Sequence, residues 1–280
     1  MNIKIVTDST CDIPSEFVDK LGISVVPLYV TLNGRSYLDM KELSRDSFYA
    51  ALPTAHPHPT TAAPSPGQFM QVYDQLVDKG AEAIFSIHIS ETLSAVFTSA
   101  QTATAQYKRV PVYAIDSGNL SMALGLIVLA AAEEAMRSGS VEAVYEALQR
   151  TIPRTHAYAK LDTIDYLLKG GRITHIQHNI IGLLGIKPIL KMNNHVSRME
   201  IARTKSKGFE RVVRVAKENL PKAVKFGITH ANARSQVEKL LEILRAEFPG
   251  LAEPLINEVN PALGAHVGPG ALCFNWISGD

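Results

Sequence analysis

Ala83-Ile-Phe-Ser-Ile-His88, then Ser90-Glu-Thr-Leu-Ser94, then Val112-Tyr-Ala-Ile115: these three segments, with the helical runs over 94–108 and 122–137, decide the architecture. The first and third are short apolar runs bounded by polar turns, the pattern of buried strands. Strand, loop and helix in succession predict a parallel sheet with helices on its faces. Upstream the same rhythm holds. Ile3-Lys-Ile-Val-Thr7 reads as a strand, and Pro14 opens a helix at its first position. Residues 23–32 read as one strand, closed by an Asn33-Gly34 hairpin signal. A helix near Arg45–Ala51 is followed by a proline-studded loop over 53–66, where missing amide donors forbid a helix interior or a central strand. Ser65-Pro66 caps the next helix, which runs to about Lys79. Polar strand exits then share one edge, the usual ligand crevice of such sheets: Asp8-Ser9-Thr10, the 90–94 loop and Asp116-Ser117.

From about Thr155 the pattern changes. Strands are predicted over 157–161, 188–191, 197–202 and 226–229, with a turn at Asn193-Asn194 and amphipathic helices over 209–219 and 235–248. This half reads as α+β and mostly antiparallel. The expected division falls near Ile152-Pro153, giving an α/β domain over 1–153 and an α+β domain over 154–280.

With 46% apolar residues in 280, the chain has material for a large core, and 28 Lys+Arg against 27 Asp+Glu leave it nearly neutral. That balance removes the long-range attraction expected of a nucleic-acid or anionic-membrane binder. Two cysteines, Cys11 and Cys273, make neither a disulfide scaffold nor a cysteine-rich zinc site. Met1-Asn-Ile-Lys-Ile-Val6 reads as a strand rather than a signal peptide. The greasy stretch 120–132 falls short of the about 20 residues a membrane span needs. A cytoplasmic protein without a stable membrane anchor is expected.

Familiar catalytic devices are missing: no phosphate loop, no G-x-S-x-G elbow, no H-E-x-x-H. Gly268-Pro-Gly270 is a fragment of a dinucleotide fingerprint and precedes a strand, not a helix. His175 and His178 sit three apart on a predicted helix, but no carboxylate or cysteine nearby completes a metal set, so they read as a polar face. His56 and His58 flank prolines in a loop. Asp8 and Asp116 end two strands and read as turn acceptors. What remains is a set of hydroxyls and tight glycine turns: Thr60-Thr61, Ser94, Gly170-Gly-Arg172, and the glycine-rich 264–270 turn carrying His266. Singly, Ser65 and Ser94 read as helix caps, Thr61 as a turn residue and Arg172 as a surface charge.

In order and spacing, these segments resemble the DegV family of bacterial fatty-acid-binding proteins nearly end to end. The likeness rests on Ile5-Val-Thr-Asp-Ser-Thr10, Thr60-Thr-Ala-Ala-Pro-Ser-Pro-Gly67 and Leu93-Ser-Ala-Val-Phe97. It continues through Asp116-Ser117 with Gly125-Leu126, Tyr166-Leu-Leu-Lys-Gly-Gly-Arg-Ile173, Ile186-Lys-Pro-Ile-Leu190 and His266-Val-Gly-Pro-Gly-Ala271. The resemblance implies a Rossmann-like N-terminal domain packed on an α+β C-terminal domain, with a long-chain fatty acid between them and no cofactor. It implies a lipid-binding subunit, not an enzyme, that presents the acyl carboxylate to a separate fatty acid kinase; the acyl-phosphate then enters phospholipid synthesis. Carried over residue by residue, Thr61, Ser94 and His266 surround the carboxylate and Arg172 supports that network. Ala62-Ala63 stand where relatives usually carry Ser-Gln, and Ala95 where they carry glycine.

Such residues suit the task. Burying the about fourteen methylenes of a C16 chain at ~0.8 kcal/mol each supplies on the order of 11 kcal/mol gross, without direction. Direction must come from a carboxylate that cannot be buried unpaired. Thr61 and Ser94 offer hydroxyl donors, with free amides beside Ser94 if it opens a helix. His266 donates in either protonation state, and as a cation would lower the ligand's pKa. Candidate walls for the chain are residues 180–186, Ile189-Leu190, Phe97 and Leu28. The competing reading is a small acyl hydrolase with Ser94 as nucleophile and His266 as base, which lacks a third residue to orient the imidazole. A small-ketone kinase would need its own nucleotide site.

Overall fold

The computed structural model describes residues 1–172, 186–192 and 196–279, without the side chains of 196–199. The predicted His175/His178 pair, the Asn193-Asn194 turn and the 180–185 wall lie outside the described residues.

The first half contains β1 (Ile3–Asp8), α1 (Ser15–Lys20), β2 (Ser24–Val26), β3 (Tyr29–Leu32), β4 (Arg35–Leu38) and α2 (Arg45–Ala51). It continues with β5 (Thr60–Ala62), α3 (Pro66–Asp78), β6 (Ala83–His88), α4 (Val96–Gln106), β7 (Val112–Asp116), α5 (Ser121–Ser138) and α6 (Val141–Thr151). Strands β2-β1-β6-β7 form the expected parallel sheet. The single strand expected over 23–32 is instead two. Pro27 has no N–H with which to continue a ladder, so the chain leaves the parallel sheet after Val26. It resumes as β3 in a separate antiparallel sheet of order β4-β3-β5. Asn33 and Gly34 turn β3 into β4 with φ of 50° and 80°, the double positive φ of a tight hairpin. The proline-rich loop holds β5, which pairs on one side only, the place where neighbouring prolines are tolerated. Pro14 stands one position before α1, and Ser65 forms a capping box with Gln68 at the start of α3.

The second half contains β8 (Thr155–Lys160), α7 (Asp165–Lys169), β9 (Lys187–Met192), β10 (Val196–Ala202), α8 (Lys205–Asn219) and β11 (Ala223–His230). After these come α9 (Arg234–Glu247), β12 (Leu255–Glu258), α10 (Pro261–Val267) and β13 (Leu272–Ser278). The sheet runs β10-β9-β8-β13-β11-β12 and is antiparallel except for the β11–β12 pair.

The apolar stretch at 120–132 becomes α5, buried on nearly every face. It packs on β1 on one side and on β8, β11 and β13 on the other. A helix apolar all round belongs in a core of this kind. Glycines let the backbones close: a Cβ on Gly125 would lie 2.5 Å from the Cys11 carbonyl oxygen, and one on Gly227 2.7 Å from Met122 Cγ. Among the described residues, no helix is long and apolar enough to cross a membrane.

Two buried carboxylates from the first half hold the start of α10 from the second. Asp12 Oδ1 accepts from the backbone N and side-chain Nδ2 of Asn260, both at 2.9 Å, and Asp12 Oδ2 accepts from Ser121 Oγ at 2.7 Å. Asp39 accepts from Ser9 Oγ at 2.6 Å and from Ala262 N at 3.3 Å. Arg45 Nη2 stands 3.7 Å from Asp12 and its Nε donates to the Glu258 carbonyl. Burial raises both carboxyls, Asp39 from 3.8 to about 7. A carboxyl raised on folding favours the protonated native state, so its contribution is full at acid pH and fades as pH climbs through the folded value. The melting temperature of wild type relative to Asp39→Asn should therefore fall by several degrees between about pH 4 and 7. Parallel thermal melts test this, and a constant difference across that range would contradict it.

Candidate functional site

The site is built where β5, the loop after β6, the turn after α7 and the end of α10 converge. Thr61 is central in β5, opposite Val30 in β3, and this pairing fixes the face on which its hydroxyl stands. His266 lies in the last turn of α10, not on a glycine turn as expected. The helix begins at Asn260, whose Oδ1 caps Leu263 N, and ends at Gly268 with φ of 69°. Gly264 lies inside the helix, and glycine stands there because the helix passes against Phe48 and Tyr49, each 2.8 Å from where a Cβ would sit. His266 Nε2 and Thr61 Oγ1 are 2.9 Å apart. His58 Nε2 contacts the Ala265 carbonyl at 2.9 Å, tying the proline-rich loop to α10.

Ser94 lies on the loop between β6 and α4, half-buried. It does not open the helix: Ala95 holds the capping position, and among the described residues Ser94 Oγ accepts only a long bond, 3.4 Å, from Val96 N. Arg172 follows the Gly170-Gly171 turn, and its Nη1 donates to the Gly170 carbonyl at 2.9 Å. Burial lowers the Arg172 pKa from its usual value. Burial also pushes His266 down to about 4, helped by the nearby charge of Arg172 and by His58. The imidazole is therefore neutral at physiological pH, and the cationic role considered from sequence falls away. Its Nδ1 is buried and, among the described residues, has no hydrogen-bond partner.

Thr61, Ser94, Arg172 and His266 line one cavity with about 70 Å³ of room for the centres of water-sized molecules, partly open to solvent, whose wall is otherwise mostly apolar. It adjoins a second, almost wholly apolar cavity with about 50 Å³ of such room. The two share Leu120, Leu190, Met192, Leu263 and Val267. The register explains the floor of the inner cavity. Leu190, Ala159, Cys273 and Thr229 are successive cross-strand partners on β9, β8, β13 and β11, and all four face it. Side chains shrink from Leu190 to Ala159 and Cys273, opening a trough. Polarity closes it at the far end, where Thr229 Oγ1 lies 3.1 Å from the Asp12-bound Ser121 Oγ.

Of the expected walls, Leu28 and Leu190 line the cavities and Phe97 does not. Ile189 points to the opposite face of the sheet, into the core under α8 and α9. Thr10, placed at the crevice edge from sequence, lines the outer cavity; sequence reasoning missed Leu120, Met192 and, of the inner row, Ala159, Cys273 and Thr229. The one available signal was the pair of small residues Ala157 and Ala159, two apart on one strand face.

The hydrolase arrangement does not form. His266 Nε2 contacts Thr61, and no carboxylate meets its Nδ1. A different Asp–His–Ser chain is present: Asp8 Oδ2 to His88 Nδ1 at 3.0 Å, and His88 Nε2 to Ser86 Oγ at 2.6 Å. All three side chains are fully buried, and Ser86 Oγ also meets Tyr73 OH, so no substrate reaches them. Asp8 also accepts from Thr10 N and Ile89 N; it staples β1 to β6 as well as shaping a turn. Asp116 accepts from Gly118 N, as a turn acceptor should. Among the described residues, no group of three His, Cys, Asp or Glu is placed to hold a metal.

A family model described as "Uncharacterised protein, DegV family" matches residues 2–279. A DegV domain-containing protein of Streptomyces coelicolor is 37% identical over 273 residues, covering 97% of this chain and 96% of that protein. Among solved structures, DegV from Bacillus subtilis, described as a fatty acid binding protein, matches with a TM-score of 0.90 at 32% identity over 99% of both chains. A DegV family protein from Thermus thermophilus, described by its fatty acid binding, matches at 0.88 and 31% identity over 99% of this chain and 100% of that one.

A base held down on folding keeps its native-state benefit above its unfolded value and loses it as pH falls toward the folded one. In an NMR titration of ¹⁵N-histidine protein, the His266 ring should stay neutral until about pH 4. Half-protonation near 6.5 would show that the imidazole is solvated rather than buried.

Proposed function

The chain belongs to the DegV family, and from that premise we propose that it binds a long-chain fatty acid in the paired cavities. The observation that carries this reading is one apolar trough whose solvent-facing cavity is lined by Thr61, Ser94, Arg172 and His266, while the hydroxyls at its inner end, Thr229 and Ser121, are already bonded to one another and, through Ser121, to Asp12. The carboxylate lies in the solvent-facing cavity, accepting from the Thr61 and Ser94 hydroxyls. The tail runs past Leu120, Leu190 and Leu263 and crosses the sheet over Ala159 and Cys273. Arg172, already engaged with the Gly170 carbonyl, braces the turn beside the head group.

Beyond binding, the protein is a cytoplasmic, non-catalytic carrier that offers the carboxylate to a separate fatty acid kinase, whose acyl-phosphate product feeds phospholipid synthesis. Two features support this. The chain carries no phosphate loop of its own, and the head-group contacts are neutral hydroxyls rather than a bidentate cation, which leaves an oxygen free to react. The ligand lies between an α/β domain of residues 1–153 and an α+β domain of 154–280.

Gentle purification followed by native mass spectrometry and lipid extraction should find one long-chain acid per chain. Protein that is consistently empty and binds no added hexadecanoate would overturn the reading. Thr61→Val and Ser94→Ala should each weaken hexadecanoate binding by about 1–3 kcal/mol, the cost of leaving a buried polar group unpaired; unchanged dissociation constants in both would reject the carboxylate position. Ala159→Leu should fill the trough and shift preference toward shorter acids, while Ser94→Ala weakens all lengths alike. Titration of C12 to C18 acids by calorimetry separates the two patterns.

A further inference from the structure

Gly170 caps α7 through its N–H to the Tyr166 carbonyl at 2.8 Å, and its φ of −78° is open to any residue. Glycine is required there for another reason. A Cβ would stand 2.2 Å from His266 Nδ1 and 3.0 Å from Cε1. The imidazole edge occupies the space a side chain would take, so Nδ1 faces the Gly170 Cα; the Tyr166 carbonyl oxygen, 3.0 Å from where that Cβ would stand, already accepts from Gly170 N, and among the described residues Nδ1 has no hydrogen-bond partner. A neutral imidazole carries one proton. Placed on Nδ1, it would be an orphaned buried donor, which native structures avoid more strictly than an under-used acceptor. The proton therefore belongs on Nε2, 2.9 Å from Thr61 Oγ1. Thr61 accepts it, and the threonine's own hydrogen must point elsewhere, into the cavity.

Ser94 has the same polarity. Its Oγ accepts from Val96 N, and among the described residues its hydrogen meets no acceptor. We propose that Gly170 fixes the tautomer of His266 and thereby makes Thr61, like Ser94, a committed hydrogen-bond donor, so that the site selects a head group with two acceptor atoms and no proton. This rests on the fatty-acid reading and narrows it to the ionised acid. A primary amide or a primary alcohol of equal length would offer the two donors one neutral oxygen in place of an ionised pair, and would bring hydrogens of its own to groups already committed to donating. Gly170 is here a positioning residue: it acts through the imidazole without touching the ligand.

The tautomer is read directly by long-range ¹H–¹⁵N correlation spectra of the histidine rings in the full chain, with and without hexadecanoate. We expect His266 protonated at Nε2 and bare at Nδ1; a proton on Nδ1 overturns the inference whatever lipid binds. Competition between hexadecanoate and hexadecanamide gives the second readout. Wild type should prefer the acid by at least about tenfold, Thr61→Ser should keep that preference, and Gly170→Ala should lose most of it as the ring is displaced. Equal binding of acid and amide by wild type overturns the inference alone. Failure of hexadecanoate to bind at all overturns the fatty-acid reading beneath it. If Gly170→Ala does not fold, the wild-type spectrum and the Thr61→Ser competition still decide the matter.

Discussion

Helix α10 is held at both ends, and the positions of the cavities follow from that. Its start is grasped by Asp12 and Asp39, carboxylates that have left water and are compensated by Asn260, Ser121, Ser9 and a helix amide. Removing a partner from a buried carboxylate is costly, whereas an intact set gives orientation more than net stability. Two turns later the helix delivers His266 to Thr61. Leu263 and Val267, one turn apart on the same helix, wall both cavities. The anchoring carboxylates come from the parallel-sheet half and the helix from the other, so the docking that joins the halves also assembles the polar end of the trough.

The trough is a consequence of how α5 and the second sheet divide the space. Met122 and Leu126 pack down in one direction with Ile277, and Ala123 sits over Ala157 and Met192. Small residues on adjacent strands then leave a volume that neither the helix nor α10 fills. Close packing elsewhere makes this informative: cores hold few voids larger than a water molecule, and an apolar void stays dry unless an apolar ligand enters it. The polar cluster at Thr229, Ser121 and Asp12 ends the volume where apolar packing would give way to the buried carboxylate.

Much of the fold was legible because its signals are local. Short apolar runs bounded by polar turns mark β1, β6 and β7, Ser65 marks the start of α3, a long apolar run marks α5, and Asn33-Gly34 marks its hairpin, since in each case the cause lies within a few residues of the effect. Failures came where distant contacts decided. Pro27 was inside an otherwise continuous apolar run, and only the competing pairing of β3 with β5 turned its missing donor into a change of sheet. Gly264 and Gly268 made residues 264–270 look like a loop, yet Gly264 is helical and is a glycine because Phe48 and Tyr49 leave no room for a side chain. Thr61, Ser94, Arg172 and His266 were recoverable only as a pattern spread over the chain; nothing near Thr61 predicts an imidazole 205 residues away. The inner wall was the least legible part, because Ala159 and Cys273 become neighbours only through the register of β8 and β13.

In the proposed function, affinity and orientation come from different parts of the site, and the separation has a chemical consequence. Burial of a long chain contributes on the order of 11 kcal/mol gross and does not depend on which oxygen of the head group is engaged. The head-group donors need only decide which end enters first, a task for neutral hydroxyls at roughly 1 kcal/mol each net. A permanent cation in their place would bind the carboxylate more tightly and hold its electrons, opposing any later attack by that oxygen. Arg172 is nearby but spends a donor on the Gly170 carbonyl, and His266 is kept neutral by burial. Under the proposed function, such a site would grip the tail and leave the carboxylate comparatively nucleophilic, as handing an acid to another protein would require.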